Sequence, residues 1–233
     1  MIKAVFFDLY HTLVRYDPPA EELWAMALGD FGIATMPEAF RRPLIVADEF
    51  MYQELARSPL SRRSAEEKIA LYVRYQEIVL KETGIEASPQ LILSLLGKMQ
   101  RFDMKLVVFD DVMPVLADLK NRGLILGLIS NIDRDITPLL DDLGLLSLLR
   151  VVVTSVGIGY NKPQPEIFQE ALRQAGVQSS EAIYVGDQHE IDIVGANKVG
   201  MKGVLLDRGG YFEETADCPR IRSLTQVMEH LQY

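Results

Sequence analysis

Apolar residues follow two different rhythms along this chain. Between Pro18 and Gln100 they recur at helical spacing. Leu23, Ala27, Leu28 and Phe31 follow Pro18, Pro19, Glu21 and Glu22, and Gly32 closes the stretch. Leu44, Ala47, Phe50, Met51 and Leu55 form a second stripe. Ser64 and Glu67 have the spacing of a capping box, ahead of Ile69, Tyr72, Val73, Gln76 and Leu80, with Gly84 beyond. Ser88 and Pro89 open a shorter helix through Leu91, Leu95 and Leu96. Helical stretches with no strand between them predict a small bundle.

From Val112 the pattern alternates. Helices are predicted at 114–122, 135–143, 165–175 and 190–199, each ending at a glycine. They lead into the apolar runs 124–129, 151–153, 182–185 and 203–206, and a last helix covers 224–231. Continuous apolar strands alternating with helices predict a parallel sheet covered on both faces. The opening run 2–7 is a fifth strand of the same kind. Its partners lie beyond the bundle, so the bundle is an insertion. The predicted fold is a doubly wound α/β sheet, residues 1–16 and 104–233, with an inserted α-helical domain at 17–103.

Composition narrows the function classes. A chain that is 48% hydrophobic and 24% charged belongs with ordinary globular proteins rather than disordered ones. The formal charge of −9 argues against a nucleic-acid or anionic-membrane surface. No apolar run approaches the roughly 20 residues of a membrane helix, and the opening run is too short for a secretory signal. A cytoplasmic protein is expected. The single cysteine, Cys218, excludes an intrachain disulfide or a cysteine cage and is read as a structural thiol.

The candidate chemistry lies where the strands stop. The first run ends at Asp8, the second at Ser130 and Asn131, and the fourth at Asp187, with Asp192 five residues on. Lys162 lies in the loop after the 151–153 strand. In an open parallel sheet all carboxyl ends share one edge, where ligands bind. Asp8, Ser130, Lys162, Asp187 and Asp192 should therefore meet in one crevice. Three carboxylates at one edge need cations among them. Lys162 supplies one charge, and an all-oxygen donor set suits Mg²⁺ rather than Zn²⁺. One carboxylate then remains for nucleophilic attack on a phosphorus centre, with Lys162 and Ser130 holding the phosphoryl oxygens.

These segments resemble, in order, the four motifs of the haloacid dehalogenase (HAD) superfamily. FFDLYHTLV is similar to the first, LISN to the second, NKPQPEIF to the third and YVGDQHEIDIVGANKVGM to the fourth. The helical block stands where subclass I members carry a helical cap. The resemblance implies a Rossmann-like core with that cap, and an enzyme acting on a small phosphorylated substrate as a monomer or homodimer. It makes Asp8 the nucleophile, Ser130 a hydrogen-bond donor to the transferring group, and Lys162 the partner of Asp8 and the phosphate. Asp187 and Asp192 would hold Mg²⁺, with the carbonyl of Tyr10 as a further ligand. Asn131 would orient the loop or touch substrate.

One position departs from the phosphatase pattern. Two residues after the nucleophile, phosphatases of the superfamily carry an aspartate that serves as general acid and base; here it is Tyr10. A phenol, with an ordinary pKa near 10, is a poor base at neutral pH, and losing such a group costs about 10²–10⁴-fold in rate. The 2-haloacid dehalogenases carry tyrosine there, because a halide leaves without a proton. They also carry serine and asparagine where this chain has Gly186 and Asp187. A Mg²⁺-dependent phosphatase, slow if Tyr10 does no acid/base work, is the preferred reading. Its rivals are a metal-independent dehalogenase and a phosphate- and Mg²⁺-binding regulator with negligible turnover. Asp110–Asp111 and Asp141–Asp142 are read as solvated; Arg41, Arg42, Arg62 and Arg63 could reach over the crevice and grip an anionic substrate, though such pairs are more often simply exposed.

Overall fold

A computed structural model describes residues 1–86, 88–132, 134–212 and 217–231. The chain divides into two compact units, Met1–Arg15 with Val107–Tyr233, and Tyr16–Leu106. The first is built on a parallel sheet of β1 (Ala4–Phe7), β4 (Ile125–Ser130), β5 (Val151–Thr154), β6 (Ala182–Gly186), β7 (Lys202–Leu206) and β8 (Arg220–Ile221). The strand order is β5-β4-β1-β6-β7-β8, and each neighbouring pair is parallel. The connections run outward from β1 in both directions, so β1 lies at the switch point where a crevice opens beyond the carboxyl ends.

β1 and β6 are buried along their whole length, as helices on both faces require. The helices of this unit are α5 (Val112–Asn121), α6 (Thr137–Asp142), α7 (Ser155–Ile158), α8 (Pro165–Ala175) and α9 (Val194–Lys198). On one side Ile167, Phe168, Ala171 and Leu172 of α8 pack with Phe6, Ile129, Val151, Val153 and Tyr184. Gly195 of α9 is part of that contact: a Cβ there would stand 2.8 Å from the Phe168 ring and 3.1 Å from Pro163 Cα. Only a glycine lets α9 approach the loop that carries Lys162 so closely.

The helical unit contains α1 (Ala20–Gly29), α2 (Arg41–Arg57), α3 (Ala65–Glu82) and α4 (Pro89–Met99). Its core gathers Trp24, Leu28, Phe40, Leu44, Val79, Leu80, Ile92 and Leu95. Ser64 and Glu67 form the reciprocal capping box, and Ser88 caps α4 by accepting from Leu91 N. A ribbon of β2 (Val14–Asp17) and β3 (Lys105–Val108) carries the chain out of the sheet unit and back.

Several elements differ from the sequence reading. β2, β3 and β8 were not predicted, because each is four residues or fewer and partly polar. The 190–199 helix is a π-turn, His189–Ile193, followed by the short α9, and the last helix is a 3₁₀ segment, Leu224–His230. Phe31 is exposed rather than packed in the bundle. Arg63 is not a free surface cation: it donates to Ser58 O and Glu54 O, tying the turn after α2. Asp111 is not solvated either. It takes a bidentate pair from Arg208 at 2.9 Å and accepts from Ser223 Oγ and Leu224 N. Its partners lie about a hundred residues away, beyond the reach of local pattern. No helix of the described residues is long and apolar enough to cross a membrane.

Candidate active site

Asp8 is the residue after β1, and its N–H continues the ladder by donating to Val185 O at 3.0 Å. The chain then turns sharply: Leu9 O accepts from both Leu13 N and Val14 N, and His11 N donates to Val14 O. His11 sits at φ 58°, a left-handed conformation that glycine adopts more cheaply. Tyr10, half-buried, bridges to Val14 in this turn.

β4 ends with Ser130, whose Oγ lies 3.4 Å from Asp8 Oδ1. Asn131 follows and spends both ends of its amide on the Lys162 backbone, accepting from its N at 2.6 Å and donating to its O at 2.9 Å. The expectation that Asn131 touches substrate meets this geometry directly: the amide is already occupied in fixing the neighbouring loop.

Lys162 is buried and its ammonium is fully engaged. Nζ donates to Asp8 Oδ1 and Asp192 Oδ1, both at 2.6 Å, and to Tyr184 Oη at 2.9 Å. Burial works against its charge, but Asp192 and Asp8 outweigh that and hold the ammonium above its ordinary value. The Asp8 carboxyl is raised by its burial, with Lys162 opposing and Asp192 adding to the rise.

The strand-end glycine of β6 makes room for the next acid. Asp192 comes back from the π-turn over Gly186, and its Oδ2 accepts from Gln188 N at 3.0 Å. A Cβ on Gly186 would stand 2.6 Å from Asp192 Cβ and closer still to its carboxylate. Asp187 accepts from Gln188 Nε2 at 3.0 Å and, at the 3.5 Å limit, from Thr12 Oγ1. Its pKa is pushed up to about 7, by burial first, with His11 opposing and Asp8 and Asp192 adding.

Asp8, Asp187 and Asp192 each bring a carboxylate oxygen within 4.8 Å of the other two. Lys162 lies against two of these acids, Asp8 and Asp192, and the carboxyls of Asp8 and Asp187 are raised by burial first, with the neighbouring carboxylates adding to the rise. An all-oxygen set of this kind fits a hard divalent cation.

The residue-level match extends to the chain as a whole. The sequence pattern of the haloacid dehalogenase-like hydrolases matches residues 2–200. The chain belongs to the haloacid dehalogenase-like hydrolase family. A protein named glyceraldehyde 3-phosphate phosphatase, from Methanopyrus kandleri, is 34% identical over 91% of this chain and 86% of its own length. A HAD phosphatase structure from Thermococcus onnurineus aligns over 99% of this chain and 98% of its own at 25% identity and a TM-score of 0.59. A 2-haloacid dehalogenase structure from Pseudomonas syringae aligns over the same shares at 28% identity and a TM-score of 0.57.

Within this HAD-like hydrolase the sequence reading overlooked three contributors. Tyr184 hides in an apolar strand, yet its hydroxyl meets Lys162, lies 3.1 Å from both Ile129 O and Asp192 Oδ1, and its ring packs edge-on to Phe168. A tyrosine in a fully buried strand signals such a partner in advance. Thr12 reaches Asp187, and Arg208 donates to Thr12 O at 3.0 Å while covering the Phe109 ring. Nothing local to Arg208 in the sequence announces that contact.

Proposed function

We propose that this HAD-like hydrolase is a Mg²⁺-dependent phosphomonoesterase working through an aspartyl phosphate on Asp8, with the helical insert as its cap. The observation that carries the reading is the Asp8–Asp187–Asp192 cluster. A metal-free site for a halogenated acid would have to bring an anionic substrate against these carboxylates, an arrangement electrostatics disfavours. The phosphatase names of the relatives support the same reading.

Asp8, Asp187, Asp192 and the Tyr10 carbonyl are the groups that would hold the ion. When bound, Mg²⁺ supplies positive charge against the phosphoryl oxygens. The chain does the rest. The Asp8 carboxylate attacks phosphorus, forming an acyl phosphate as the bond to the leaving oxygen breaks. Lys162, kept charged by Asp192 and Asp8, offsets the charge of the incoming dianion and fixes the Asp8 rotamer. Ser130 Oγ, next to Asp8, donates to a phosphoryl oxygen. Asn131 keeps Lys162 in place through its backbone. Water then attacks the phosphorus of the acyl phosphate, releasing inorganic phosphate and restoring Asp8.

Proton delivery has no carboxylate at position 10. This favours substrates whose leaving group departs with little help, such as aryl or acyl phosphates, over simple alkyl phosphates. Tyr10 is also the observation behind the second reading, dehalogenation by Asp8 at a halogenated carbon, which needs neither proton nor metal. A panel of phosphomonoesters and 2-haloacids, assayed with Mg²⁺ and with chelator, separates the two. Phosphate release that requires both Mg²⁺ and Asp8, tested with Asp8→Asn, is expected. Halide release in chelator, without phosphate release in Mg²⁺, would overturn the proposal.

A further inference from the structure

A second group of metal-ligating side chains lies outside the acidic cluster. His189 opens the π-turn, while Asp217 and Cys218 lie just before β8; one ligand atom from each falls within 4.8 Å of the others. His189 Nε2 is 2.9 and 3.1 Å from the two Asp217 oxygens. On the other side of the ring, Nδ1 is 3.2 Å from Glu190 Oε1. Carboxylates flank both ring nitrogens. An ion taking the place of the Nε2 hydrogen would find the imidazole already oriented by Glu190 at Nδ1, the outer-shell arrangement of metal-binding histidines.

We propose that His189, Asp217 and Cys218 form a site for a divalent transition metal of the zinc class, with Glu190 as the outer carboxylate. The donor set is nitrogen, oxygen and sulfur, so it selects borderline-soft ions and not Mg²⁺, in contrast to the all-oxygen cluster of Asp8, Asp187 and Asp192. Tetrahedral coordination at about 2.0–2.3 Å sets neighbouring ligand atoms about 3.3–3.7 Å apart. The present spacing, within 4.8 Å, needs a closure of about 1.5 Å at most to reach tetrahedral distances, and the Asp217 side chain, 65% exposed, is able to provide it. A water would complete a tetrahedral shell. On binding, the Cys218 thiol proton and any proton on Nε2 pass to solvent, and no oxidant or reductant is needed. The ion would cross-link the segment preceding β8 to the π-turn that carries Asp192.

The test is Co²⁺ titration of the full chain in excess Mg²⁺, which occupies the oxygen site. We expect a thiolate-to-cobalt charge-transfer band in the near ultraviolet that saturates at one equivalent and is displaced by Zn²⁺. Cys218→Ser should remove the band. His189→Gln, Asp217→Asn and Glu190→Gln, all at partly or fully exposed side chains, should weaken Co²⁺ binding by roughly tenfold or more. Absence of the band in the wild-type chain would overturn the proposal. So would a band whose affinity is unchanged in His189→Gln and Asp217→Asn, since the thiol would then be binding alone.

Discussion

Replacing Gly186 by alanine adds one methyl group where the fold has no room for it. The new Cβ would stand 2.6 Å from Asp192 Cβ and nearer to its carboxylate, well inside contact distance. Either β6 shifts, or Asp192 leaves its place. Overpacking in a well-filled interior costs about 1–3 kcal/mol. Moving Asp192 also gives up its bond from Gln188 N and its 2.6 Å pair with Lys162. Breaking a buried pair outright costs about 3–5 kcal/mol, but Lys162 keeps Asp8 as a partner, so only part of that is lost. We expect Gly186→Ala to lose about 2–4 kcal/mol in urea unfolding in the presence of chelator. In a double-mutant cycle, Gly186→Ala with Asp192→Gly should cost within about 0.5 kcal/mol of Asp192→Gly alone, because the Cβ and carboxylate that clash are both gone. Wild-type stability for Gly186→Ala, or simple additivity of the two changes, would refute the reasoning.

Lys162→Met should destabilise the fold by about 3–5 kcal/mol by leaving two buried carboxylates unpaired, and should abolish turnover; unfolding curves and phosphate release check both. Asp187 has its pKa raised from 3.8 to about 7, so the folded state binds more protons than the unfolded one between these values, and this side chain's contribution to stability falls as pH rises through that window. In chelator, Asp187→Asn should therefore be more stable than wild type by roughly 1–3 kcal/mol at pH 8, after discounting for the partial exposure of the side chain, and by no more than about 0.5 kcal/mol at pH 4; thermal unfolding at the two pH values checks it. Tyr10→Asp should raise turnover of alkyl phosphates by about 10²–10⁴-fold while changing aryl phosphates little, measured as the slope of log kcat/KM against leaving-group pKa.

The parallel sheet was legible because each of its longer strands is buried on both faces and reads as an unbroken apolar run. The strand-end rule then led to Asp8, Ser130 and Asp187, since order β4-β1-β6 brings those three ends side by side. The same rule has false positives. Asp207 also follows an apolar strand, yet its carboxylate accepts from Tyr211 N and Phe212 N and serves the turn. What was not legible depends on distance in sequence or on competition between local geometries. The Arg208–Asp111 pair joins residues whose surroundings look like solvated loops. The π-turn at His189–Ile193 follows from carrying Asp192 back over Gly186, a tertiary demand with no periodic signature. Tyr184 reads as one more member of the apolar run 182–185 because its ring belongs in the core; only its hydroxyl belongs to the site.

The central claim is that Asp8 carries the phosphoryl group. The most direct test is rapid acid quench of the wild-type chain mixed with an aryl phosphate and Mg²⁺, followed by mass spectrometry of the peptide containing Asp8. The account predicts one covalent phosphoryl group on Asp8, absent in chelator and in Asp8→Asn. A single turnover in oxygen-18 water should then place the label in inorganic phosphate and not in the Asp8 carboxylate. Phosphate release with no phosphoryl group on Asp8, or label recovered in that carboxylate, would contradict it.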